Sequence, residues 1–460
     1  MEEKRLNLTE EQKDIIKAQY DILAQSSVLM ERQFELTENL SRNDFQRDYA
    51  RVLYSPSFRR LQGKMQIVGI KSSAFYRNRL THSLEVAQIA TSIAHLLSIS
   101  VDDKMYINDI HLIEAAALAH DIGHPAFGHK GERVLNKLGK EYGLHFEGNA
   151  HNFRILRYIE RKEPGRKGLN LTNRTLLAIN KYIVEESDDV EKFMFTEDYN
   201  YLMGIREKVE GLTKRRTLDV QIIEIADDIA YAVHDLEDGL ALRNFTINEV
   251  LFLLNKKSEK AYKQLKDIVL KSYIHASQAD NVQDHSKLFR MNLTSKLTHL
   301  FIHDITVENI SEEEAKEHGT EIYPELALGE YRDLLKKLKK VVFECTTRDN
   351  HVQLYEARGE IVLKELFELY SNPEIDEDGK LMPPDFRTKQ EYKNIEDGDL
   401  QGYEEYKKEL AQNAIDYIAG MMDTYAIEEY ERLFNKKFSE IDVNQFTSPK
   451  SKFKLEMQIS

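Results

Sequence analysis

The stretch His120-Asp121-Ile122-Gly123-His124-Pro125-Ala126-Phe127-Gly128-His129-Lys130-Gly131-Glu132 packs three imidazoles and two carboxylates into thirteen residues. Imidazole and carboxylate together are the ligand set of a divalent metal such as Mn, Fe, Co, Ni or Zn. The glycines and Pro125 stop the stretch from continuing as one regular helix. A helix therefore delivers His120 and Asp121 at its C-terminal end, and the chain turns back over them with further acid/base groups. A polar helix end followed by an ordinary loop is the plainer reading, but a metal site needs several such groups converging, and this segment supplies them.

Three helices must position the rest. Residues 82–97 carry Val86, Ile89, Ala90, Ile93, Ala94 and Leu97 on one face, and His82 opens that segment. Residues 109–120 are rich in Leu, Ile and Ala, with Asp109 as the expected cap. Residues 218–238 place Ile222, Ile225, Ala226, Ile229, Val233 and Leu236 on one stripe. Asp227 interrupts that apolar helix, which costs stability unless the carboxylate is paired or coordinated. A helix cap or a surface acid is the alternative, but the helical pattern continues on both sides. The set His82, His120, Asp121 and Asp227 therefore stands out as two imidazoles and two carboxylates with room left for water and substrate oxygens. Asp228 points about 100° away around the helix and is a separate candidate. Single His-Asp pairs such as His234-Asp235 and His303-Asp304 are weak signals on their own.

The remaining pattern is helical. Thr9-Glu10-Glu11-Gln12 reads as a capping box, and an amphipathic segment runs over 44–53 until Pro56. Further helices are expected at 247–272, 328–342, 350–370 and 404–435, and loops at 162–168, 311–324 and 371–387. Strand-like alternation is confined to 66–70 and 452–458. The expected fold is all-α, one helical body over 1–460 with at most a minor short hairpin. A catalytic core would occupy 41–240, and a helical C-terminal portion, 241–460, would pack on it.

These residues resemble the HD-domain phosphohydrolases, and the likeness is narrower than that superfamily. Ser41-Arg42-Asn43-Asp44-Phe45-Gln46-Arg47-Asp48-Tyr49-Ala50-Arg51, Phe58-Arg59-Arg60-Leu61 and Lys64-Met65-Gln66-Ile67 are similar to the N-terminal signature of bacterial dGTPases. Asn78-Arg79-Leu80-Thr81-His82-Ser83, Phe146-Glu147-Gly148-Asn149-Ala150, Ala226-Asp227-Asp228-Ile229-Ala230-Tyr231 and Asp416-Tyr417-Ile418-Ala419-Gly420-Met421-Met422-Asp423 continue the likeness in order from about 41 to 426. The family is that of deoxynucleoside triphosphate triphosphohydrolases, which includes the vertebrate SAM-and-HD-domain enzyme. The resemblance implies an HD-domain core, and cleavage of a dNTP to deoxynucleoside and inorganic triphosphate.

It also implies roles. A divalent metal (Mn, Mg, Co, Ni, Fe or Zn) at His82, His120, Asp121 and Asp227 would polarise the α-phosphorus and lower the pKa of a bound water. The leaving 5′ oxygen needs a general acid. His124, His129 and Glu132 are the candidates, with His129 and Glu132 matching a catalytic His–acid pair. His124 matches an active-site histidine that some bacterial members lack, and a loop histidine bonded to a carbonyl is its alternative. His145 and His151 are candidates for the surrounding shell. Arg79, three residues before a ligand, could fork onto an α-phosphate or serve only a surface ion pair. Gln66 matches the position that contacts the sugar 3′-OH. Tyr231 and Asp235 share the Asp227 face and surround the deoxyribose in the resemblance. Two departures stand out. Position 65 is Met where the bacterial signature commonly has Thr, and position 228 is Asp where the vertebrate enzyme has a phosphate-binding Lys. Triphosphate neutralisation then falls to other cations, with Arg59, Arg60 and Lys64 as candidates. Lys214-Arg215-Arg216 and Lys336-Lys337-Leu338-Lys339-Lys340 could serve a regulatory dNTP, although a charge run is more often a solvated helix face.

Composition bounds the alternatives. The chain has 460 residues, 41% hydrophobic and 31% charged, with net charge −15. That balance argues against nucleic acid as the main partner. No apolar run suits a signal peptide or a membrane span, and the single Cys345 suits a reducing cytoplasm. The family tendency is to homo-oligomers. Another HD phosphohydrolase, such as a nucleotidase or a (p)ppGpp hydrolase, would share the metal ligands but not the whole motif series. A nucleotide sensor on a degraded HD scaffold would have lost acid/base residues that are present here.

Overall fold

The computed structural model describes residues 5–35, 41–66, 77–348, 350–389, 395 and 399–443. Most of the strand-like alternation at 66–70, and all of that at 452–458, lies outside the described residues. Among the described residues the fold is all-α, and its one sheet is an antiparallel pair, Ile305–Asn309 with Pro324–Leu328. The chain forms two compact units that interleave along the sequence. One is Met1–Arg59, Arg79–Gly123 and Asn149–Thr347, and the other is Arg60–Asn78, His124–Gly148 and Arg348–Ser460.

The first unit is built on three mutually packed helices, Arg79–Ser100, Ile110–Ala119 and Leu218–Leu242. The apolar residues expected on their inner faces are all buried, from Val86 to Leu97 and from Ile222 to Leu236. The helix Asp44–Leu53 lies against Ile110–Ala119 and opens with a capping box, Asn43 and Gln46. The capping box of Thr9 and Gln12 likewise starts the Glu10–Gln25 helix. Leu218–Leu242 starts at Thr217, whose hydroxyl accepts from Val220 N, and ends at Arg243 in the left-handed region. Its first turn is locked by charge. Asp219, fully buried, accepts from Arg174 Nε at 2.9 Å and Nη2 at 3.2 Å. Removing one partner of such a buried pair costs about 3–5 kcal/mol, so the helix that carries Asp227 is firmly seated. Asp109 does not cap its helix. Its carboxylate is taken by Arg174 at 2.7 Å and by Tyr20 at 2.9 Å.

Other helices differ from the sequence expectation at single residues. The segment 247–272 is two helices, Ile247–Lys257 and Glu259–Ala276, because Ser258 is extended and its side chain caps the second one. The segment 404–435 breaks between Leu400–Ala419 and Asp423–Phe434. The 311–324 loop contains a capped helix, Glu312–His318, and runs into the hairpin. Glu325 on the hairpin accepts from the buried Arg216 at 2.9 Å, which ties the sheet to the start of Leu218–Leu242.

The second unit gathers Gly128–Lys140, Asn350–Ser371, Leu400–Ala419 and Asp423–Phe434 around a core that includes Phe127, Leu135, Leu366, Tyr370, Ile415 and Tyr430. Gly359 lets the Phe127 ring approach the Asn350–Ser371 backbone, since a Cβ there would stand 2.4 Å from the ring.

Candidate metal centre and acid–base pair

In the first unit, His82, His120 and Asp227 offer ligand atoms that all lie within 4.8 Å of one another. His82 Nε2 is 2.9 Å from Asp227 Oδ1, and His120 Nε2 is 3.5 Å from the same oxygen. His120 forms the C-cap of its helix, and its Nδ1 bonds to the Ala117 carbonyl at 2.6 Å. That bond orients the ring and leaves Nε2 buried, with a long 3.5 Å approach to Asp227 Oδ1 among the described residues, the arrangement in which a backbone carbonyl fixes the tautomer of a metal-binding histidine. Asp121 Oδ1 lies 3.8 Å from His120 Nε2, outside the tighter trio.

The electrostatics suit a cation. Burial alone would raise the Asp227 carboxyl, but the hydrogen bonds and charges of His120 and His82 outweigh it and hold it well below the usual carboxylate range. Burial would lower His120, but the charge of Asp121 and the hydrogen bond and charge of Asp227 push it up to about 9. The trio thus carries a proton where it would otherwise carry uncompensated negative charge. The donor set, the weakly partnered Nε2 and the excess negative potential all fit a divalent metal.

The residues around the trio are ordered by the backbone. Asn152 accepts from Gly123 N at 2.5 Å and donates to the His120 carbonyl, and the nearly fully buried His151 bonds the Gly123 carbonyl at 3.1 Å. Together they staple the His120–Gly123 turn, a part the motif reading assigned only in outline to His151 and missed for Asn152. Arg79 is 1% exposed and donates from Nη1 to Asp121 Oδ2 at 2.6 Å, so one edge of its guanidinium orients that carboxylate. The Tyr231 ring stands 4.8 Å from the His82 ring, and Asp235 is buried on the same helix. Tyr231 has its hydroxyl held neutral by burial, with Asp121 adding to the shift.

The second unit contains the other cluster. His129 Nδ1 is 3.4 Å from Glu132 Oε2, and Glu132 Oε1 accepts from Gly148 N at 3.2 Å. The rings of His124 and His129 meet edge-on at 5.9 Å, and His124, His129 and Glu132 also offer ligand atoms within 4.8 Å of one another. Phe127 and Gly128 both adopt positive φ, which turns the chain into the Gly128–Lys140 helix with His129 and Glu132 near its start. Two side chains secure this turn. Asp423 accepts from Phe127 N at 3.1 Å, and Lys64 donates to the carbonyls of His124 at 2.5 Å and Ala419 at 2.8 Å. Lys64, a sequence candidate for phosphate neutralisation, is 2% exposed and is committed to these carbonyls. Gln66 is buried, and neither of its amide atoms has a hydrogen-bond partner among the described residues.

Several members of the basic runs are likewise engaged. Arg215 pairs with Glu321, Arg216 lies between Glu224 and Glu325, Lys336 reaches Glu314 at 3.3 Å, and Lys339 pairs with Asp228.

Residues 79–232 match the HD domain, and residues 329–432 match the phosphohydrolase-associated domain. The helical core and this pair of matches define a phosphohydrolase of the HD class. Deoxyguanosinetriphosphate triphosphohydrolase-like protein 2 of Vibrio cholerae is 40% identical over 403 residues, covering 86% of this chain and 90% of that protein. The protein of the same name in Deinococcus radiodurans is 33% identical, covering 88% of this chain and 95% of its own length. A deoxyguanosinetriphosphate triphosphohydrolase-like protein of Shewanella is 33% identical over 465 residues. The chain belongs to this deoxyguanosinetriphosphate triphosphohydrolase-like family. No helix among the described residues is long and apolar enough to cross a membrane.

Proposed function

We propose that the protein hydrolyses deoxynucleoside triphosphates, dGTP or several dNTPs, to deoxynucleoside and inorganic triphosphate, and so controls dNTP pools in the cytoplasm. The observation that carries this reading is the convergence of His82, His120 and Asp227 on one point, in a chain whose relatives are named deoxyguanosinetriphosphate triphosphohydrolase-like proteins. With Asp121 they would hold a divalent metal, which when bound supplies Lewis acidity and an activated water. His120 presents Nε2 because Ala117 holds Nδ1, and Asp121 is aimed by Arg79. Arg79 is also assigned to the α-phosphate.

His129 gives its proton to the leaving 5′ oxygen, and Glu132 orients the imidazole and balances its charge. His124 assists from the same turn. The buried amide of Gln66 takes the sugar 3′-OH. Tyr231, with Asp235, closes on the deoxyribose, where an aromatic ring at C2′ excludes a ribose hydroxyl by sterics. The reading carries with it a homo-oligomer and a second, regulatory dNTP.

The test is incubation of the full chain with each dNTP, alone and in pairs, with Mg, Mn or Co, followed by identification of products. Inorganic triphosphate is expected, and mixed dNTPs giving more than additive turnover would reveal regulation. Phosphate or pyrophosphate as the inorganic product would move the protein to another class of HD nucleotidase. No turnover with any metal would make it a sensor.

A further inference from the structure

A triphosphate brings several negative charges, and a metal held by the trio would answer only the part nearest the scissile bond. Several described cations of the first unit are already committed to carboxylates. Arg79 is buried on Asp121. Lys181 is on Glu224 at 2.8 Å, and Arg216 is buried between Glu224 and Glu325. Lys339 is different. It comes from the Arg332–Thr347 helix, which packs along Leu218–Leu242. Its ammonium lies 5.1 Å from the centroid of the Tyr231 ring, and that ring in turn lies 4.8 Å from the His82 ring. A lysine thus stands one aromatic ring away from the metal ligands.

Its ion-pair partner among the described residues is Asp228, the neighbour of Asp227. The side chains of Lys339 and Asp228 are 43% and 46% exposed, so water and a polyanion can reach both. An ion pair this exposed is worth about 0–1 kcal/mol and opens at little cost. A triphosphate offers the ammonium more negative charge and more acceptor oxygens than one carboxylate does. The exchange of Asp228 for phosphate on Lys339 is therefore downhill, whereas the buried pairs of Arg79 and Arg216 are locked by the cost of stranding their partners.

We propose that Lys339 binds the terminal phosphates of the substrate, and that Asp228 is a stand-in anion that holds the ammonium in position until phosphate replaces it. This rests on the reading of the substrate as a dNTP. It places on a neighbouring helix the positive charge that position 228 lacks. It also makes Asp228 a competitor, because its carboxylate stays near the incoming phosphates and taxes their binding.

The test uses inorganic triphosphate as the probe and titrates it by calorimetry into the full chain loaded with Mn2+. Lys339→Met should weaken binding about tenfold or more, and Lys339→Arg should retain most of it. Asp228→Asn should tighten it, which is the sign that separates a stand-in anion from a structural ion pair. In kinetics with dGTP, Lys339→Met should raise KM more than it lowers kcat, with metal content and melting temperature unchanged. Unchanged affinity in Lys339→Met, or weakened affinity in a folded Asp228→Asn, overturns the proposal. A wild-type protein that cleaves no dNTP but binds inorganic triphosphate through Lys339 sinks the functional reading and leaves the phosphate site standing. A wild-type protein that cleaves dNTPs, with Lys339→Met unaffected in both measurements, sinks the phosphate site alone.

Discussion

Metal binding at the His82, His120 and Asp227 trio should be a competition with a proton, and the size of the competition follows from His120. Its imidazole is raised from 6.5 to about 9 by Asp121 and Asp227, which outweigh the opposing effect of burial. At pH 7 only about one molecule in a hundred has the neutral ring a metal needs. Apparent affinity for Mn2+ should therefore rise nearly tenfold per pH unit from about pH 7 to about pH 9, with at least one proton released near pH 7. The same raised pKa contributes on the order of 3 kcal/mol to the stability of the metal-free protein. The sign is that of a histidine raised on folding. The contribution is fully present below about pH 6.5 and is lost as pH rises through about 9. Melting temperatures of metal-free and metal-loaded protein should thus move apart as the solution becomes more basic. Calorimetry in buffers of different ionisation enthalpy counts the protons, and a competing chelator reads the affinity. Asp227→Asn should weaken binding and flatten the pH slope, because His120 loses one of the two carboxylates that raise it. Binding near pH 7 without proton release, together with affinity that is flat from about pH 7 to about pH 9, would refute the reasoning.

Three further outcomes are expected. His129→Ala should lower kcat by about 10²–10⁴-fold with little change in KM or metal content. Adding Glu132→Gln should cost little more, and additive losses would give the two residues separate roles. Tyr231→Ala should raise GTP turnover relative to dGTP without loss of metal, and a wild-type protein indifferent to the 2′-hydroxyl would contradict the assignment. Gly359→Ala would push a methyl to within 2.4 Å of the Phe127 ring. Overpacking costs about 1–3 kcal/mol against a helix-propensity gain near 1 kcal/mol, so the melting temperature should fall; a rise would show that the ring yields freely.

Much of the helical frame was legible because it is written in short-range pattern. The apolar stripes of 82–97 and 218–238 are three- and four-residue spacings, and the Thr9 capping box lies within four residues. The place of the hairpin was not, since Ile305–Asn309 and Pro324–Leu328 are five residues each and the buried Arg216–Glu325 pair that anchors them spans 109 positions. Asp109 misled because its carboxylate has better partners in Arg174 and Tyr20 than the backbone it precedes. The break at Ser258 hid in a continuous polar-apolar rhythm, although a serine three residues before Ala261 is itself a cap signal. For the candidate site, residue types and spacing nominated the histidines and carboxylates, but pairings such as Arg79 with Asp121 and Lys339 with Asp228 depend on which helices pack side by side. A lysine inside a charge run carries no local mark that separates it from its solvated neighbours.

The interleaving of the two units sets an order on biosynthesis. Ala126, Phe127, Val134, Leu135, Leu138 and Phe146 belong to a core whose other buried members run from Val362 to Phe438. Phe127 N waits for Asp423, 296 residues later, to accept its hydrogen. At about 5–20 residues per second, a ribosome needs roughly 15–60 s to supply that partner. During this interval the helix with His129 and Glu132 has emerged with its apolar face unsheltered, while all segments of the first unit are complete earlier. Nascent chains should therefore secure the metal ligands before the acid–base turn, and a chain stalled after Thr347 should hold the first without the second. Such an intermediate would offer chaperones a defined stretch to shield, the one that runs from Ala126 to Leu138.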